Sequence, residues 1–340
     1  MKRLLNTLYV TNPDAVVRKR DNAISVELDG TKVMSIPFHV LDGIVLFGHV
    51  GCTMATLAAC AEKGLSVVLL DERGRFKARV EGSVSGNVLL RREQYRRAAS
   101  KQETLSLAKR FVVGKVRNTN TVLRHYIRDH PEVADGVAVT VHTLDEAAVV
   151  AVSCPTLDEL RGVEGNAARA YFSIFPCLLR GAESIVFDGR TRKPPRDPVN
   201  ATLSFFYTLL ARDVATACEA VGLDSQMGYL HSCRPGRMSL ALDLMEELRA
   251  PVVDRFTLSL FNRKQLTVED FKADTSGGVS FKEHGLKRAL EAWQKKKQET
   301  FVHPFIKERV PLGLVPFIQT QLLSRYFRGD LDDYPACIWR

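Results

Sequence analysis

Short apolar runs broken by turn residues fill the first quarter of the chain, and apolar positions at three- and four-residue spacing dominate the rest. Leu8–Val10, Ala15–Val17, Ile24–Leu28, Val33–Pro37 and Ile44–Phe47 read as strands, separated by Asn, Asp, Gly and Pro. Asp29-Gly30 between two of them predicts a tight hairpin. A helix is expected over Thr53–Lys63, capped by Thr53 and stopped at Gly64, followed by a buried strand over Ser66–Leu70. Glu81-Gly-Ser-Val-Ser-Gly-Asn87 has the composition of a linker. Beyond it the spacing predicts helices at about 88–98, 101–129, 143–153, 156–179, 198–222, 239–250, 281–299 and 313–327. Thr143, Thr156 and Thr267 each precede an acidic residue by three positions, as in a capping box. The expected fold is α+β. A small N-terminal β-rich domain (1–82) and a linker (83–87) precede a larger all-α-helical domain (88–340).

Composition narrows the class. The 340 residues can bury a sizeable core, and no apolar run approaches the roughly 18 residues of a membrane span, so no membrane association is expected. Polar residues interrupt the apolar stretch at the N-terminus, and no signal peptide is expected. Seven cysteines without a C-x-x-C pair argue against structural disulfides and a thiolate zinc site, and fit a reducing cytoplasm. The net charge of +9 is concentrated: Arg73 to Arg128 holds 15 Lys and Arg against Glu81, Glu93 and Glu103, an excess of 12. Arg73, Arg75, Lys77 and Arg79 alternate along one stretch, as a basic row on a strand face would. Such a block on an otherwise near-neutral chain points to a polyanion, most simply nucleic acid.

Candidate chemistry lies between Gly228 and Arg249. His231 falls in a turn-rich segment beside Pro235 and Gly236. From Ser239, read as an N-cap, the pattern turns helical, and Asp243, Glu246 and Glu247 share the face opposite Leu240, Leu244 and Leu248. One imidazole with hard oxygen ligands suits Mg²⁺ or Mn²⁺, whereas an ordinary amphipathic helix would show the same acidic face to solvent. A second acid, Glu164, precedes the small-residue run Gly165-Asn-Ala-Ala168, which permits close approach of backbone or ligand, with Arg161, Asn166, Arg169 and Tyr171 nearby. His39, His125, His142 and His303 have no such context.

Three blocks occur in order: L-R-G-V-E-G-N-A-A-R-A-Y-F from Leu160, D-P-V-N-A-T-L-S-F-F-Y-T-L-L from Asp197, and G-Y-L-H followed by S-L-A-L-D-L-M-E-E-L-R-A-P-V-V-D-R. Together they resemble the CRISPR-associated integrase family, the metal-dependent endonuclease that captures new spacers. The two ends of the chain resemble its subtype I-C branch. The resemblance implies a Mn²⁺ or Mg²⁺ site formed by Glu164, His231 and Glu246, with Asp243 one helical turn before Glu246 as a further catalytic acid. It implies packing and supporting roles for Asn200 and Tyr207. Double-stranded DNA, a second copy of the chain joined through the β-rich domain, and the small second CRISPR adaptation protein are the partners it implies. The expected reaction is attack of a DNA 3′-hydroxyl on a repeat phosphodiester, or of water for hydrolysis. A non-catalytic DNA scaffold and a metal-dependent RNA nuclease are the alternatives.

Overall fold

The computed structural model describes residues 6–71, 76–80, 82, 88–180 and 186–339. The expected linker at 83–87, and Arg73 and Arg75 of the expected basic row, lie outside them. Two four-stranded sheets form the N-terminal part, with strands β1 (Asn6–Val10), β2 (Ala15–Arg20), β3 (Ala23–Leu28), β4 (Thr31–Pro37), β5 (Leu41–Phe47), β6 (Gly51–Cys52), β7 (Ser66–Leu70) and β8 (Phe76–Val80). One sheet has the order β1-β5-β7-β8 and the other β4-β3-β2-β6. Asp29 and Gly30 take positive φ of 50° and 77° in the β3–β4 turn, which an Asp-Gly pair adopts at little cost. Helix α1 (Met54–Glu62) begins at Thr53, whose side chain accepts from Thr56 N–H.

The central strands β5 and β7 of the first sheet are buried on both faces, which is why they read as continuous apolar runs. Ile44, Leu46 and Val67 pack with Val17, Ile24 and Val26 of the second sheet, while Val45, Phe47, Val68 and Leu70 join the helical core. The β-rich and helical parts therefore share packing as well as chain.

Helices α2 (Val88–Ala99), α3 (Lys101–Asp129), α4 (Ala134–Ser153), α5 (Leu157–Ser173), α6 (Pro198–Ala220), α7 (Ser239–Met245), α8 (Arg255–Asn262), α9 (Glu283–Gln298) and α10 (Val315–Phe327) follow. Four expectations are corrected here. The helical part is not all α: hairpins β9–β10 (Phe271–Ala273, Val279–Phe281) and β11–β12 (Thr300–Val302, Arg309–Pro311) interrupt it, the first held by the Phe271–Phe281 ring contact. Thr143 is no cap; α4 starts at Ala134, and Thr143 Oγ1 donates to Val139 O inside it. Ser239 is likewise the first helical residue, and its hydroxyl donates to Ser232 O. Because α4 is longer than its pattern predicted, Pro131–Ser153 is long and apolar enough to cross a membrane, against the expectation of no such run. It lies on α3, with Val137, Leu144 and Ala151 buried and Asp145 accepting from Asn120 and Arg124.

Candidate active site

The helix that begins at Ser239 does not run evenly. A 3₁₀ turn covers Glu246–Leu248 and a π turn covers Arg249–Asp254 before α8 resumes. Pro251 supplies the reason: it has no N–H to give Glu247 O, four residues back. That carbonyl is taken instead by Asn118 Nδ2 of α3 at 2.6 Å. The 3₁₀ geometry sends the two neighbouring acids to opposite sides. The solvated acidic face the helical wheel allowed does not form, since Asp243, Glu246 and Glu247 are all buried.

Glu246 meets the other expected residues. Its Oε2 lies 2.7 Å from Lys115 Nζ, and Lys115 also bonds Glu164 Oε1, so one ammonium bridges the two carboxylates. His231 Nε2 is 3.8 Å from Glu246 Oε1, which Arg249 also reaches at 2.9 Å. Burial alone would raise the Glu246 carboxyl. Arg249, Lys115 and His231 outweigh it and hold the group well below the usual carboxylate range.

Asp243 holds the other side of the imidazole. Its Oδ2 accepts the backbone N–H of Tyr229 and Leu230 at 2.6 and 3.0 Å, while Oδ1 accepts His231 N–H at 2.9 Å and lies 2.7 Å from His231 Nδ1. This carboxylate thus folds the G-Y-L-H loop over the start of α7 and turns Nε2 of the imidazole towards Glu246. Gly228 makes the fold possible, since a Cβ there would lie 2.6 Å from Ser239 Cβ. Arg161 of α5 holds the loop from outside through Leu230 O, at 2.7 and 3.0 Å. Gln94 of α2 holds it from below, donating to Asp224 O and Met227 O.

Around this centre, Asn200 staples the start of α6 to the chain before it: it bonds Asp197, the N-cap, as well as Gly189 O and Arg190. Tyr207 donates to Asp254, with Arg249 and Arg190 against its ring. Burial pushes the Asp254 carboxyl up to about 6. Arg169 bonds Asn166 at the surface, and Cys233 Sγ faces Met227 Sδ and Gly228 O. The pattern along the chain missed Lys115, Arg249 and Gln94. Lys115 carried a signal, being a lysine inside the apolar stripe of Phe111, Val112 and Val116.

A hard cation fits the donors that Glu164, His231 and Glu246 present. Lys115 already places one positive charge between the carboxylates, and the buried Glu246 Oε2 receives no bond of hydrogen-bond geometry. The Glu164 side chain keeps 26% of its surface exposed. With the ammonium in that place, no three His, Cys, Asp or Glu side chains among the described residues form a ready metal cluster.

Part of the expected basic block is compensated. Arg96 and Arg97 pair with Glu93 and Glu103, Arg110 with Asp333, Arg124 with Asp145, and Arg79 with Glu219. Arg92, Lys101 and Arg117 are exposed.

The family model for CRISPR associated protein Cas1 matches residues 8–295. The chain belongs to this Cas1 family. The CRISPR-associated endonuclease Cas1 2 of Rhodospirillum rubrum is 46% identical over 350 residues, covering 100% of both chains. Among solved structures, a casposase bound to integration product superposes with a TM-score of 0.84 at 20% identity, covering 98% of this chain and 94% of that one. A Cas6-RT-Cas1–Cas2 complex superposes with a TM-score of 0.82 at 21% identity, covering 98% of this chain and 36% of that one. At those identities the likeness is one of fold, and it agrees with the α+β architecture. The Cas1 relatives, at higher identity, put the chain among CRISPR-associated endonucleases.

Proposed function

We propose that the chain is a Mn²⁺- or Mg²⁺-dependent DNA endonuclease and integrase that inserts short duplexes, as new spacers, into a CRISPR array. The observation that carries this reading is that one ammonium, Lys115, bridges Glu164 and Glu246, with His231 Nε2 3.8 Å from the other Glu246 oxygen. Glu164, His231 and Glu246 would hold the metal, which when bound supplies Lewis-acid stabilisation of charge on a phosphodiester. Asp243 accepts from Nδ1 and so leaves the Nε2 lone pair facing the site. Lys115 and Arg249 supply positive charge for the phosphate oxygens. In strand transfer a 3′-hydroxyl oxygen forms the new P–O bond, the repeat's P–O3′ bond breaks, and the leaving 3′-oxygen gains a proton. With water attacking, the same exchange is hydrolysis. Nicking of duplex DNA with Mn²⁺, compared with EDTA, tests the reading; equal nicking in both, or none in either, would overturn it.

The same reading makes double-stranded DNA, a second copy and the small second CRISPR adaptation protein the partners. The integration product in the casposase structure and the Cas2 in the other neighbour support the first and last of these. For the second copy, β4 is an outer strand of its sheet with Val33 and Met34 exposed, an edge another chain can cover. Sedimentation at micromolar concentration should give a dimer, and a monomer that integrates without the partner would contradict it.

A further inference from the structure

Beside the active turn lies a buried junction that the reaction does not use. Glu246 and Glu247 are neighbours in the 3₁₀ turn, and Glu247 points away from the site. Its Oε1 accepts Tyr334 O–H at 2.6 Å and Gln319 Nε2 at 2.9 Å; its Oε2 accepts Cys337 N–H at 2.7 Å. Asn118, which replaces the donor missing at Pro251, also donates to Cys337 O at 2.7 Å and accepts Trp339 N–H at 2.8 Å. Gly114 lets the three segments close, since a Cβ there would stand 3.2 Å from both Ala336 Cβ and Glu247 Cβ. Gly114, Lys115 and Asn118 sit within two turns of α3, so the helix that carries the bridging ammonium also carries the junction. Beyond it, Trp339 stacks on Phe301 with ring centroids 4.2 Å apart, and buried His303 bonds Gln319 at 3.0 Å.

We propose that the C-terminal segment Tyr334–Trp339 is a strap that positions the active turn, with Glu247 and Asn118 as its clasps. The turn cannot hold itself: Pro251 removes an intrahelical bond where the 3₁₀ turn gives way to the π turn, so groups from outside set the rotation that points Glu246 at Lys115 and His231. Glu247, Asn118 and Tyr334 are positioning residues, acting through Glu246. The proposal rests on the reading of Glu246 as a site residue.

The test uses the full chain with Glu247→Gln and, as the milder change, Tyr334→Phe. The first turns one acceptor oxygen into a donor against the strap, and the second removes the phenol that donates to Glu247 and accepts from Gln319 Nε2. Amide hydrogen exchange across 246–254 should quicken about tenfold, while exchange in α6 and the sheets stays as in the parent. Titration with Mn²⁺ alone should show about tenfold weaker binding, and kcat for nicking should fall by a similar factor with KM for DNA unchanged. Parent-like exchange and Mn²⁺ binding in both variants would overturn the strap, as would exchange that quickens equally everywhere. If the parent does not nick DNA, the proposed function fails, and the exchange data still decide the strap.

Discussion

Replacing Asp243 with Asn probes the one carboxylate that shapes the His231 loop. Asp243 is fully buried and each of its oxygens serves two nitrogens, three of them backbone N–H groups and the fourth His231 Nδ1. An Asn retains one acceptor oxygen. With its NH₂ turned to Tyr229 and Leu230, two backbone donors lose their acceptor; turned to His231, one backbone donor does, and Nδ1 must switch tautomer to accept from the amide. At about 2 kcal/mol for each lost acceptor, Asp243→Asn should destabilise the chain by about 2 to 4 kcal/mol. A loosened imidazole should also lower nicking by about 10- to 100-fold, as removal of a histidine's supporting carboxylate does. Urea unfolding gives the first quantity and Mn²⁺-dependent nicking of a supercoiled plasmid at saturating metal gives the second. A variant as stable as the parent and fully active would refute the assignment of Asp243 as the support of His231.

Glu246→Ala should abolish nicking, whereas Glu247→Ala should leave measurable activity with a larger loss of urea resistance; equal losses of activity would contradict the opposite facing of the two acids. Nicking should be supported by Mn²⁺ or Mg²⁺ better than by Zn²⁺, and Cys233→Ser should not alter metal binding, because no thiolate belongs to the donor set. Loss of metal binding in that variant would replace this site with a softer one. Neutralising Arg92, Lys101 and Arg117 together should flatten the salt dependence of duplex binding, by roughly 0.9 in log–log slope for each phosphate these side chains neutralise. The Arg96 and Arg97 pair, already matched by Glu93 and Glu103, should leave the slope unchanged; the reverse outcome would move the DNA to another face.

What the chain pattern revealed, and what it hid, follows from the range of the interactions. The hairpin at Asp29-Gly30 and the cap at Thr53 depend on neighbours in sequence, and both were legible; the longer strands showed as apolar runs, whereas the two-residue β6, which pairs with β2 from far along the chain, did not. Thr156 was also legible, because its hydroxyl caps Glu159 N–H locally. Thr143 carries the same motif, but the Val- and Ala-rich stretch before it continues the helix, so the motif falls inside α4. The turn at 246–254 was hidden because Pro251 breaks a periodicity that tertiary bonds then restore. His231, Glu164 and Glu246 could be named, two on predicted helices and one in a predicted loop, yet their meeting depends on Lys115 from a fourth segment. A lone lysine in an apolar stripe must be paired when buried, and the sequence alone does not say with what.

Strand transfer of a short duplex bearing a free 3′-hydroxyl into a repeat-containing plasmid tests the central claim most directly. It should be run with Mn²⁺ on the parent and on folded Glu164→Ala and His231→Ala. Joined product from the parent, and none from either variant while both still bind duplex DNA, is the predicted result. Parent-level joining by either variant would contradict it.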